Sequence, residues 1–193
     1  MSDSFANSPI AERQALRARL RAAGQAFVAD ADFAARQAAL AGHLMSVIEQ
    51  LCPDRLGLYC AVQSEFDAVA FCLQGSALEA TPLALPFSFR DPLRMDYRHW
   101  NRLPPLLRDE CGIAACDGPV VVPDVVLVPC LGHTASGFRL GYGGGYFDRW
   151  LAAHPHVTAI GVGWSVCEVD EAELRPQPHD LPMACIVTEH GVR

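Results

Sequence analysis

The run Val125-Val126-Leu127-Val128-Pro129 constrains this chain more than any other segment, because five consecutive apolar residues leave no side for water. A strand at the surface of a sheet alternates apolar and polar residues, whereas a continuous apolar run is the pattern of a parallel strand covered on both faces. Covering both faces takes helices, so the run points to an α/β layer structure.

The flanking sequence agrees. Ser8-Pro9 offers an N-cap hydroxyl and a first-turn proline, and predicts a helix to about Phe27. Phe33, Leu40, Leu44, Val47, Ile48 and Leu51 recur on one face of a second helix that starts after Asp30 or Asp32 and ends at Cys52-Pro53. Residues 55–61 read as a first strand, 66–74 as a short helix and 83–85 as a second strand. Residues 86–119 hold five prolines and read as irregular, apart from a strand near 95–100. A helix over 146–153 and strands over 158–163 and 184–188 complete the pattern. The expected architecture is a single three-layer α/β domain over residues 8–193, with a largely parallel central sheet flanked by helices and residues 1–7 as a loose tail.

Composition removes several function classes. A formal net charge of −7 argues against a general nucleic-acid binder, which needs a basic face for phosphates. No apolar run approaches the length that spans a bilayer, and the N-terminus lacks the basic start and apolar stretch of a signal peptide, so the expectation is a cytoplasmic protein free of the membrane. Eight cysteines show no Cys-x-x-Cys spacing, and Cys60, Cys72, Cys130 and Cys185 sit among apolar neighbours, as small core residues do. All 15 basic residues are arginine. Any cation that holds a phosphate here is therefore a guanidinium.

Between the buried strand and the 146–153 helix, Gly141, Gly143, Gly144 and Gly145 occupy four of five positions. Such a loop lets backbone N–H groups approach an anion, and the following helix adds the positive end of its dipole. Arg139 stands at its entrance, and Asp148 in the first helical turn has the oxygen chemistry that magnesium prefers. The loop lacks the Gly-Lys-Ser/Thr of a Walker loop, and Tyr146 fills the last glycine of the dinucleotide pattern. On glycine content alone an ordinary strand-to-helix turn remains open. Arg13 and Arg17, four apart, share a helix face that Arg21 continues, which also suits a solvated basic stripe. Asp148 alone could serve the helix dipole, and Asp180 alone a turn. His154-Pro155-His156 lacks a third ligand at a usual spacing and reads as a surface turn.

The wording of the loop is more specific than its composition. Val128-Pro129-Cys130-Leu131-Gly132, followed by Gly137-Phe138-Arg139-Leu140-Gly141-Tyr142-Gly143-Gly144-Gly145-Tyr146-Phe147-Asp148-Arg149, resembles the signature of 5-formyltetrahydrofolate cyclo-ligases. Arg13-Gln14-Ala15-Leu16-Arg17 stands where that family has Lys-x-x-Leu-Arg, Glu65-Phe66-Asp67-Ala68 stands for Glu-Val-Asp-Thr, and the segment from His179-Asp180 to Thr188-Glu189 is similar to its ending. Cys130, His133, Thr134 and the 112–116 segment depart from the family pattern.

The resemblance implies a fold like that of sugar-phosphate isomerases and CoA transferases. It also implies ATP- and Mg²⁺-dependent closure of a reduced folate, 5-formyltetrahydrofolate, to 5,10-methenyltetrahydrofolate. No Ser/His/Asp order or Gly-x-Ser-x-Gly elbow appears, so covalent catalysis is not expected, and the chain is read as a monomer. ATP would be held by Arg13, Arg17 and residues 139–147, namely Arg139, Leu140, Gly141, Tyr142, Gly143, Gly144, Gly145, Tyr146 and Phe147. The folate would meet Cys60, Glu65, as the pterin-binding acid, and residues 142–146. Asp148 and Asp180 would hold the metal. The alternative is a non-catalytic nucleotide- or folate-binding protein of the same fold.

Overall fold

The computed structural model describes residues 9–74, 76–177 and 180–193. Helices α1 (Pro9–Val28) and α2 (Phe33–Leu51) are followed by strand β1 (Leu56–Gly57), helix α3 (Ala68–Gln74) and the long strands β2 (Leu83–Arg90) and β3 (Leu93–Trp100). Short strands β4 (Leu107–Arg108), β5 (Ala114–Ala115) and β6 (Val120–Val121) lead to β7 (Val125–Pro129), then β8 (Gly132–His133), β9 (Arg139–Leu140) and α4 (Tyr146–Ala153). Strand β10 (Thr158–Val162), the single-turn α5 (Glu171–Leu174), β11 (Cys185–Thr188) and β12 (Gly191–Val192) close the chain. The proposed tail, the Ser8 cap and His179 lie outside the described residues.

Eight strands form one mixed, mostly parallel sheet in the order β12-β11-β10-β7-β1-β2-β3-β6. The apolar run is its central strand: Val125 pairs in parallel with Leu56 of β1 on one side and with Thr158 of β10 on the other. Strand alternation then divides the run between two cores. Val125 and Leu127 pack with Leu40, Leu44 and Ile48 of α2, while Val126 and Val128 pack with Trp150 and Leu151 of α4. Burying such a side chain is worth about 1.5–3 kcal/mol relative to leaving it in water. Helix α1 stands apart, its Leu16 and Leu20 packing on Leu131, Leu140, Cys167 and Leu174.

Two sequence expectations are corrected. The first strand is far shorter than 55–61: after Gly57 only the Leu58 N–H still reaches the Ala84 carbonyl, at 2.9 Å, and the chain then leaves the sheet. The middle, expected to be irregular apart from a strand near 95–100, contains an antiparallel hairpin of two eight-residue strands, with Leu83 opposite Trp100 and Arg90 opposite Leu93. Pro86 is tolerated inside β2 because β1 pairs only with Leu83 and Ala84, so the missing N–H falls where one neighbour is absent. That early end of β1 leaves the far part of β2 bordering a cavity rather than a strand.

Candidate functional site

A cavity of about 480 Å³ opens at this place, and every residue the sequence singled out for nucleotide, folate or metal lines it. Helix α1 contributes Arg13 and Arg17, the segment after β1 contributes Cys60 and Glu65, β9 and the glycine loop contribute residues 139–145, α4 contributes Tyr146, Phe147 and Asp148, and the C-terminal segment contributes Asp180.

The loop needs its glycines. Gly143 has φ +103° and Gly145 φ +64°, left-handed values that side-chain-bearing residues adopt at a cost, and Gly145 is the N-cap of α4. The Arg17 Nε–H donates to the Gly141 carbonyl at 2.9 Å, tying α1 to the loop, and Arg149 donates to the Gly144 carbonyl. A Cβ at Gly143 would lie 3.5 Å from the Arg17 guanidinium carbon.

Each candidate metal acid is paired with a candidate phosphate cation. Arg139, only 5% exposed, donates to Asp148, and Arg13 lies 3.2 Å from the Asp180 carboxylate, which also accepts the Gln177 N–H at 2.8 Å. Among the described residues no carboxylate pairs with Arg17. Burial, reinforced by the charges of Arg13 and Arg21, lowers its pKa, and an anion arriving there would relieve that strain between like charges.

Glu65 sits apart from these pairs. Burial drives its pKa up from 4.5 to about 7, against the opposing effects of the Val62 N–H, which donates to it at 2.8 Å, and the Arg139 charge. The Cys60 thiol is pushed up to about 12 by burial, so it is no thiolate nucleophile near neutrality.

Other parts of the cavity were not foreseen. Pro86, Ser88 and Met95 come from the hairpin, and Asp109 and Ile113 from the turn beyond it. Asp109 is consumed structurally, accepting backbone N–H groups of Ser88, Cys111 and Ile113 at 3.1, 2.9 and 2.8 Å. The Asp-x-x-Gly wording of residues 109–112 was the available signal for that turn. Arg21 does not continue a solvated stripe: it is partly buried, its guanidinium 5.8 Å from the centroid of the Tyr142 ring. Of the departures from the family pattern, Cys130, His133 and Thr134 are buried outside the cavity lining; His133 Nε2 lies 3.3 Å from the Trp164 carbonyl. His154 folds back on α4, its ring stacked on Trp150 at 4.2 Å and its Nδ1 2.8 Å from the Trp150 carbonyl.

Fold and site define an α/β protein with arginines, a glycine loop and one acid of raised pKa lining a single cavity. The family model described as the 5-formyltetrahydrofolate cyclo-ligase family matches residues 9–189, and the chain belongs to that family. It is 40% identical over 67 residues to a 5-formyltetrahydrofolate cyclo-ligase of Mycolicibacterium smegmatis, covering 34% of this chain and 33% of that protein. A protein of the same description from Escherichia coli K12 is 34% identical over 70 residues, covering 36% and 38%. The matched stretch thus spans about a third of the length of these curated relatives. Two solved structures share the fold: a 5,10-methenyltetrahydrofolate synthetase from Mycoplasma pneumoniae (TM-score 0.72, 18% identity, 92% of this chain and 98% of that one) and one from Aquifex aeolicus (TM-score 0.70, 24% identity, 94% and 91%). No described helix is long and apolar enough to cross a membrane.

Proposed function

We propose that this chain converts 5-formyltetrahydrofolate and ATP into 5,10-methenyltetrahydrofolate, ADP and phosphate. One observation carries the reading: a single cavity gathers Arg13, Arg17 and Arg139, the glycine loop, Asp148 and Asp180, and Glu65. A formyl amide oxygen is a poor leaving group until it is phosphorylated. Its oxygen attacks the γ-phosphorus and ADP departs; N10 then attacks the formyl carbon, loses its proton, and phosphate leaves. Arg13, Arg17, Arg139 and the loop N–H groups bind and orient the phosphates, while Glu65 accepts hydrogen bonds from the pterin. The protein's contribution is alignment of the formyl oxygen with the phosphate and neutralisation of its charge.

The residues fit a magnesium ion. Asp148 and Asp180 offer hard oxygen donors on the same cavity. Magnesium characteristically takes one or two carboxylates and completes its shell with phosphate oxygens and water. Bound there, it would neutralise phosphate charge, with Arg139 and Arg13 exchanging their carboxylate partners for phosphate.

The test is absorbance of the methenyl product forming from 5-formyltetrahydrofolate. Turnover should require both ATP and a divalent ion, and turnover without ATP would overturn the reading. Asp148→Asn keeps shape and removes charge, so it should raise the magnesium concentration for half-maximal rate by roughly tenfold while moving the folate KM little. An unchanged magnesium titration would leave Asp148 as the structural partner of Arg139.

A further inference from the structure

A glycine loop has backbone freedom that a binding surface must lose, and this one is held from two sides. On the α1 side the Arg17 Nε–H donates to the Gly141 carbonyl. On the other side the Tyr146 hydroxyl, at the loop's end, lies 3.0 Å from the Cys111 thiol, and either group can donate. Tyr146 lines the cavity, whereas Cys111 stands behind it and does not. The bond to Cys111, and after it burial, raises the Tyr146 pKa to about 12, so the hydroxyl keeps its proton near neutrality.

Cys111 can hold a partner because its own backbone is fixed. Its N–H donates to Asp109, whose carboxylate also accepts from Ser88 and Ile113. The Glu110 N–H donates to the Ser88 carbonyl at 3.1 Å, and the Glu110 carboxylate accepts from the Arg90 N–H at 2.7 Å, so the 109–113 turn is pinned to β2. At the loop, a Cβ on Gly144 would fall 2.9 Å from the Tyr146 ring, and Arg149, its guanidinium 5.7 Å from the ring centroid, donates to the Gly144 carbonyl. Tyr146 and the loop backbone therefore move together. Among the described residues no other hydrogen bond joins residues 83–116 to residues 139–149.

We propose that Cys111 is a positioning residue whose thiol, through the Tyr146 hydroxyl, ties the glycine loop to the hairpin turn and keeps the loop in the arrangement that binds both substrates. This rests on the functional reading above. A small misplacement of binding groups is costly where catalysis depends on alignment. Because the loop serves ATP and folate alike, losing the tie affects both.

The experiment is a double-mutant cycle of Cys111→Ala and Tyr146→Phe, with Cys111→Ser as the variant that keeps a hydrogen-bonding group. Each single loss should lower kcat/KM for ATP and for 5-formyltetrahydrofolate together, roughly three- to tenfold, the value of one neutral hydrogen bond. The double variant should be no worse than either single one, because both remove the same contact. Cys111→Ser should retain most of the parent's kcat/KM. In the free protein, the nuclear magnetic resonance signal of the Tyr146 ring, assigned by its loss in Tyr146→Phe, should shift in Cys111→Ala and return toward the parent's position in Cys111→Ser. Kinetics of Cys111→Ala equal to the parent's overturn the inference and leave the functional reading standing. Impairment in Tyr146→Phe alone makes the hydroxyl a direct ligand contact and also overturns it, as do losses that multiply in the double variant or a serine variant as impaired as the alanine one. A lowered melting temperature with unchanged kinetics makes the contact structural, against the proposal. A parent that turns over no reduced folate overturns the functional reading together with this inference.

Discussion

Glu65→Gln is expected to lower kcat/KM for 5-formyltetrahydrofolate by roughly a hundredfold or more, with the KM for ATP nearly unmoved. Each hydrogen bond to a charged group contributes about 1.5–3 kcal/mol, and the substitution both removes the charge and turns an acceptor position into a donor facing donors. The raised pKa supplies a second measurement. A carboxyl whose folded pKa is about 7 against an ordinary 4.5 binds its proton more tightly in the folded chain. Its stabilising contribution is full below about 4.5 and is lost as pH rises through 7, on the order of 3 kcal/mol at most because the residue is only partly buried. Thermal melts of the free protein should therefore fall from pH 5 to pH 8 relative to the glutamine variant. In the parent the folate KM should improve over the upper part of that range, as the carboxylate that accepts from the pterin forms. Parallel melting curves and an unaltered folate KM would remove Glu65 from the substrate site.

The sequence made the sheet's centre legible because burial on both faces leaves a distinctive local pattern, as Val125–Pro129 shows. Helix α4 was equally plain, bounded by Gly145 and His154. The hairpin was obscured by Pro86 and Pro92, since proline normally excludes strand, and only the absence of β1 beside Pro86 makes it admissible. The same cause hid part of the site: a cavity formed where a strand stops early takes its wall from the neighbouring strand, and nothing local to Pro86, Ser88 or Met95 announces that. The glycine-loop wall of the cavity was legible because its residues are contiguous in the sequence. The pairing of Arg13 with Asp180 spans 167 positions and is a property of the fold alone.

Arg17→Ala should reduce kcat/KM for ATP roughly tenfold to hundredfold, the loss of one charge-assisted hydrogen bond to phosphate. Arg17 is the arginine for which this expectation is sharpest, since Arg13 and Arg139 each already hold a carboxylate. Its bond to the Gly141 carbonyl introduces a competing effect, because freeing the loop would disturb every ligand that touches it. The two effects separate by ligand: a phosphate role lowers ATP use selectively, whereas a tethering role weakens ATP and folate together. Arg17→Lys sharpens the distinction, retaining charge for phosphate but losing the planar fork that serves carbonyl and anion at once. Arg21 is a poor control, since its guanidinium lies over Tyr142 in the cavity wall. Arg19 serves better: its side chain is 57% exposed, it pairs with Glu173, and it does not line the cavity. Arg19→Ala should alter stability by no more than about 0.5–1 kcal/mol and leave both substrate constants in place. Equal kinetics for the Arg17 and Arg19 variants would return Arg17 to the surface of α1 and require the phosphates to be held by Arg13, Arg139 and the loop.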